Sequence, residues 1–154
     1  MAQRPSTAAP ISAQQALAAW ETFPHGSDVG IRGFGEDAAE AFANAAMALT
    51  SVIVEPERVR TLTEVAIACA AEDLEILFLD WINAIVSRMA IDGLLFGRYE
   101  VTLKGGALEG VAHGEPVDPR RHTPAVEVKG ATLTELKVER SATGRWTAQC
   151  VVDV

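Results

Sequence analysis

Residues Leu74 to Leu103, LEILFLDWINAIVSRMAIDGLLFGRYEVTL, carry two periodicities joined at a glycine. Leu74, Leu77, Phe78, Trp81, Ile82, Ile85 and Met89 follow i, i+3, i+4, i+7, i+8, i+11 and i+15, the apolar stripe of an amphipathic helix. The spacing predicts a helix beginning around Ala71 and closed by Gly93, which can take the left-handed turn that ends a helix. Beyond it Tyr99, Val101 and Leu103 alternate, as in a half-buried strand. Gly105-Gly106 then turns the chain, and Leu108 to Ala112 returns. A helix running straight into an antiparallel hairpin places the chain in the α+β class.

Working outward, a second helix precedes this one. Asp37 can cap it, with Glu40 three residues on, and Phe42, Ala45, Ala46, Leu49 and Ile53 form its stripe up to the break at Pro56. Before it, Val29, Ile31 and Gly33 share one side of a short strand whose glycines imply close backbone approach. Pro24 reads as a break between Trp20 and Phe23 and the His25-Gly26-Ser27-Asp28 cluster. Between the helices, Val59 to Cys69 carries Leu62, Val65, Ala66 and Ile67, a pattern open to strand or helix, with strand favoured in its second half. Downstream, Gly114 to Pro124 reads as a loop and Val126 to Val138 as one alternating run. Ser141 to Gly144 is a turn, and Trp146, Ala148, Cys150 and Val152 form the inner face of a last strand. The expectation is one domain over 18–154, two main helices on a mostly antiparallel sheet, with 1–17 as a loose extension.

Composition narrows the function. Thirteen Lys plus Arg against 21 Asp plus Glu leave a net charge of −8, which disfavours a strong direct grip on nucleic-acid phosphates. It suits a protein partner or a bound cation. No apolar run reaches the roughly 18–20 residues of a membrane span, so no membrane partner is expected. Met1 to Ile11 does not read as a secretory signal. Cys69 and Cys150 are too few for a disulfide scaffold or a zinc cage, so the expectation is a reduced, cytoplasmic domain with two buried thiols.

Standard catalytic signatures are absent. Gly30-Ile31-Arg32-Gly33-Phe34-Gly35 has neither Walker nor dinucleotide spacing, and no nucleophile elbow is present. Three polar spots remain: His25 to Asp28, the acids Glu72, Asp73 and Glu75 at a helix start, and Asp153-Val154. Helix-start acids ordinarily serve the macrodipole, and a loop histidine or terminal aspartate is ordinarily solvated. The last spot differs, because the alternation of the final strand runs through Val152 and pins the two residues after it. The Asp153 side chain and a free α-carboxylate at Val154 would repel unless a cation or strong donors lay between them. All-oxygen ligation of that kind suits Ca²⁺ or Mg²⁺ rather than zinc.

Four stretches together resemble the archease family. His25-Gly26-Ser27-Asp28-Val29-Gly30-Ile31 is similar to its opening His-Thr-Ala-Asp-Ile-Gly-Ile. Asp73 to Asn83 resembles its Asp-x-Glu-x-Leu-Leu-x-x-Trp-Leu-Asn helix. Gly114-Glu115-Pro116 with Arg121-His122, then Val128-Lys129-Gly130-Ala131-Thr132, is similar to its Gly-Glu, Arg-His and Val-Lys-Ala-x-Thr segments, and Val152-Asp153-Val154 to its Asp-Ile ending. Gly26-Ser27 stands where Thr-Ala is usual, and Leu133 where a Tyr commonly follows the Thr.

The resemblance implies an α+β fold of strand-helix-strand-strand modules. It implies a non-enzymatic activator of the RtcB-type GTP-dependent RNA ligase of tRNA splicing and RNA repair, promoting ligase guanylylation and multiple turnover. It implies a divalent-cation site, Ca²⁺ or Mg²⁺, on Asp28, Asp153 and the carboxylate of Val154, with His25, Asp73 and Lys129 lining the cleft or facing the partner. The alternatives are a hydrolase-like enzyme using Asp28, Asp73, His25 and Lys129, and a chaperone-like module for RNA-processing proteins.

Overall fold

The computed structural model describes residues 18–154; the extension expected over 1–17 lies outside the described residues. The elements are β1 (Trp20–His25), β2 (Asp28–Gly35), α1 (Ala38–Ile53), a 3₁₀ turn (Pro56–Arg58), β3 (Thr63–Ala70), α2 (Leu74–Asp92), β4 (Leu94–Lys104), β5 (Ala107–Pro116), the short α3 (Pro119–His122), β6 (Gly130–Ala131), β7 (Lys137–Arg140) and β8 (Trp146–Asp153). The fold is α+β, and every strand pairing is antiparallel.

The strands divide into two sheets. One runs β1-β2-β8-β6, with β7 also on β8; the other runs β3-β5-β4. The second comes from β3-α2-β4-β5, one strand-helix-strand-strand module. Helix α1 packs on β2 and β8 and also on β4, bridging the sheets, while α2 packs on β3. The α1 stripe is interior: Phe42, Ala45, Ala46 and Leu49 are fully buried. Gly33 allows this, because a Cβ there would stand 2.1 Å from the Ala45 nitrogen. The close approach expected of the glycine-rich strand is therefore a helix backbone lying directly on it.

Both helix starts are set by their caps. The Asp37 carboxylate accepts the Glu40 N–H at 2.8 Å, and Asp73 accepts the N–H groups of Glu75 and Ile76 at 2.8 and 3.1 Å. Helix α2 consequently begins at Leu74, after Asp73, rather than at Ala71. It ends at Gly93, whose φ of 65° closes the helix as its position implied.

Some expectations are corrected. Pro24 does not break the chain; β1 runs through it. The Phe34 N–H donates to the Ala19 carbonyl, so along this edge strand alternation turns residue 24 away from β2, where no N–H is needed. The expected loop from Gly114 belongs in its first part to β5, which continues to Pro116 against β3 and β4. The run from Val126 to Val138 forms only β6 and β7, separate short pieces on one edge of β8. Leu62 precedes β3 and is 70% exposed. Of the two thiols, Cys150 is buried on β8, and that burial pushes it up to about 12, whereas Cys69 is only half-buried.

Candidate functional site

The site is assembled at one end of the larger sheet. Gly26-Ser27 forms a two-residue hairpin with His25 paired to Asp28. Gly26 has φ of 61°, while Ser27 stays out of the left-handed region, the pattern of a II′ turn needing glycine only at its first position. Across β2, Val152 is paired with Val29, so one further step of the register sets Asp153 beside Asp28. On the far side of β8, Gly130 of β6 is paired with Asp153. His25, Asp28, Asp153 and Gly130 thus form a single cross-strand row. Directly opposite residues in such a sheet have Cβ atoms about 4.5–5.5 Å apart. Alternation puts the row on the face turned away from Ile31, Cys150 and Val152, which are fully buried in the core.

Backbone contacts close the row. The Val154 N–H reaches the Asp28 Oδ1 at a long 3.4 Å, and the Lys129 N–H donates to the Asp153 carbonyl at 2.7 Å. Five of the residues singled out in the sequence, His25, Asp28, Lys129, Asp153 and Val154, therefore meet here. Asp73 does not join them. Its carboxylate is engaged as the α2 cap, and ten residues of helix, about 15 Å, separate it from Asn83, whose side chain hydrogen-bonds β6.

The donor set can be tested against a cation. Among the described residues no three His, Cys, Asp or Glu side chains gather into a metal-binding group. Asp28 and Asp153 supply two carboxylates, and the third anionic donor of the expected set is a main-chain carboxylate at Val154, whose N–H already approaches Asp28. This set is all oxygen and fits a hard cation such as Ca²⁺ or Mg²⁺; the only two thiols lie elsewhere, Cys150 in the core and Cys69 on the other sheet.

A second polar centre occupies the Gly-Glu and Arg-His motif. The Glu115 side chain is 3% exposed, yet it accepts from the Arg60 N–H at 2.7 Å, from Arg60 Nε at 3.1 Å and from Arg121. His122 Nδ1 accepts the Asp118 N–H at 2.9 Å, so in the neutral ring the proton sits on Nε2, which donates to Glu115 at 2.9 Å. Burial opposes the Glu115 charge, but Arg121, Arg60 and His122 outweigh it and hold the carboxyl well below the usual carboxylate range. Every oxygen of Glu115 is taken up internally, so this centre ties β5 to α3 and to the segment before β3. Periodicity carried no sign of it: Arg121 and His122 lie six and seven residues beyond Glu115 but on no common strand or helix repeat, and Arg60 is 55 residues away.

Comparison with known proteins identifies the family and the fold. Residues 20–154 match the model of the archease protein family (MTH1598/TM1083). Protein archease of Pyrococcus furiosus is 40% identical over 139 residues, 88% of this chain and 98% of that protein. Protein archease of Methanopyrus kandleri is also 40% identical, over 88% of this chain and 99% of its own length. The solution structure of Methanobacterium thermoautotrophicum protein 1598 superposes with a TM-score of 0.71 at 24% identity, covering 88% of this chain and 99% of that one, and shows the same fold. By the family match across the whole described domain and these relatives, the chain belongs to the archease family.

Proposed function

We propose that this chain is a cytoplasmic protein cofactor that activates an RtcB-type GTP-dependent RNA ligase in tRNA splicing and RNA repair, by promoting ligase guanylylation and multiple turnover. The observation that carries the reading is the row at the end of the larger sheet. There Asp28 meets Asp153 and Val154 from the opposite end of the domain, next to Lys129. Asp28, Asp153 and the Val154 carboxylate would hold a divalent cation, Ca²⁺ or Mg²⁺, with Lys129 and His25 exposed on the rim for the partner. A bound cation would supply positive charge that neutralises converging carboxylates and presents a fixed electrophilic point to the ligase.

The chain's own part is positional. The II′ hairpin and the β2–β8 register hold two carboxylates at adjacent cross-strand positions, and the Val154 N–H on Asp28 orients the chain end toward them. The hydrolase alternative is disfavoured because Asp73 is occupied as a helix cap and lies apart from the row. The test mixes the ligase and GTP with and without this chain and follows guanylylation of the ligase. Stimulation supports the reading; GTP or ester turnover by the chain alone, without stimulation of the ligase, overturns it.

A further inference from the structure

The family-like helix motif ends at Asn83, a half-buried residue of α2. Its Oδ1 accepts the backbone N–H of Ala131 at 2.8 Å, linking residues 48 apart. The geometry explains why that N–H is available. Thr132 N–H donates to the Val151 carbonyl, so by strand alternation the Ala131 N–H points away from β8, toward what would be an open sheet edge. Helix α2 covers that edge with side-chain acceptors: Asn83 serves β6, and Glu75 Oε2 accepts the Val138 N–H of β7 at 3.3 Å.

Strand β6 needs such support. It is two residues long, and residues 124–129 before it are irregular. This short stretch carries the Lys129 N–H to Asp153 bond and the Gly130–Asp153 pairing. The approach of α2 is also close, since a Cβ on Gly130 would come within 3.2 Å of Asn83 Oδ1. Asn83 therefore braces β6, the strand on one side of Asp153, while Asp28 borders the other.

We propose that Asn83 is a positioning residue for the cation site, acting through β6 on Asp153 and Lys129. The inference rests on the reading of Asp28, Asp153 and Val154 as cation ligands. Outer residues that orient ligands typically cost about 10–100-fold in metal affinity when removed.

The test uses the full chain and calcium alone, titrated calorimetrically, with amide exchange followed at Ala131 and Lys129. Asn83→Ala should weaken calcium binding about tenfold, with faster exchange at both amides. Gly130→Ala approaches the same contact from the other side. It should weaken binding on its own, and less so in the Asn83→Ala background, where the added methyl has room. That non-additivity in calcium affinity is not expected of a merely structural asparagine. Unchanged calcium affinity in Asn83→Ala despite an exposed Ala131 amide overturns the positioning role, as does strict additivity of the two changes. An absence of calcium binding by the unsubstituted chain instead removes the cation reading on which the proposal stands.

Discussion

The indole of Trp81 stands where a side chain at Gly110 would be: a Cβ added to that glycine would lie 2.5 Å from Trp81 Cζ3. Trp81 is fully buried, and its Nε1 donates to the Phe42 carbonyl at 3.0 Å, so one residue of α2 locks onto both β5 and α1. Its removal would open a large cavity and take away the second hydrogen bond of the Phe42 carbonyl, which keeps its partner within α1. Trp81→Ala should cost about 4 kcal/mol and Leu77→Ala about 3 kcal/mol. Gly110→Ala should also destabilise, by overpacking, by about 1–3 kcal/mol. Urea unfolding of the three variants checks this; a wild-type midpoint for Trp81→Ala would mean the stripe is not the core.

Asp28→Ala should abolish activation of the ligase while leaving the fold intact. Asp28 is half-buried at a strand end, and the hairpin beside it is set by Gly26 rather than by the carboxylate. A guanylylation assay with a circular dichroism spectrum of the variant decides it. A folded variant that still stimulates at the wild-type level would remove Asp28 from the site.

Extending the chain beyond Val154 should weaken both calcium binding and activation. An added residue turns a main-chain carboxylate into a peptide carbonyl, which attracts a cation less, in a shell whose oxygen donors sit at about 2.3–2.6 Å. Val154 is half-buried and its N–H is already directed at Asp28, so an extension has little freedom to move aside. A tag ahead of Met1 should leave both properties unchanged. Side-by-side calcium titrations of the two tagged forms test this, and equal affinities would count against Val154 as a ligand.

Glu115 should make the protein acid-sensitive. Its carboxyl titrates lower in the folded chain than in the unfolded one. The stabilisation is therefore complete above the unfolded value of about 4.3 and drains away as the pH falls from there toward the folded value. Glu115→Ala should cost about 3 kcal/mol at neutral pH, the low end for breaking a buried pair, because Arg60 remains largely solvated. It also strands Arg121, whose buried Nε already has no hydrogen-bond partner among the described residues. Glu115→Gln should flatten the acid side of the stability curve. Denaturant midpoints at neutral and acidic pH provide the check; parallel curves for wild type and Glu115→Gln would assign the acid sensitivity elsewhere.

What could be read from the sequence was what repeats locally. Leu77, Phe78, Trp81, Ile82 and Ile85 declared a buried face through helical spacing alone, and all five are interior. The cap at Asp37 and the stop at Gly93 are local too and lie where their residue types place them, whereas the expected start near Ala71 fell three residues short of Leu74, the residue after the Asp73 cap. Pro24 misled because its tolerance depends on being at a sheet edge, a property of the neighbours and not of the segment. In the site, strand alternation pointed to Asp153 and Val154, whereas Asp28 entered through family likeness. The partnership is a contact across 126 residues, and no local pattern encodes that. Asn83 on Ala131 and Glu115 on Arg60 were hidden for the same reason, being contacts across 48 and 55 residues.

The division of the strands between two sheets has a consequence for how the protein is made. The β3-β5-β4 sheet is complete once Pro116 has been synthesised, and its longest pairing, Thr63 with Gly114, is less than half the span from β2 to β8, so it can close early on a growing chain. The other sheet cannot. Strands β1 and β2 have to wait for β8, through a loop of more than a hundred residues whose closure entropy is met only at the end. The row that sets Asp28 beside Asp153 therefore forms only after β8 has been made and has paired with β2. A chain stalled or clipped before β8 would pair the strands of the smaller sheet yet leave Asp28 without its partner carboxylate, and so offer a ligase no half-built site.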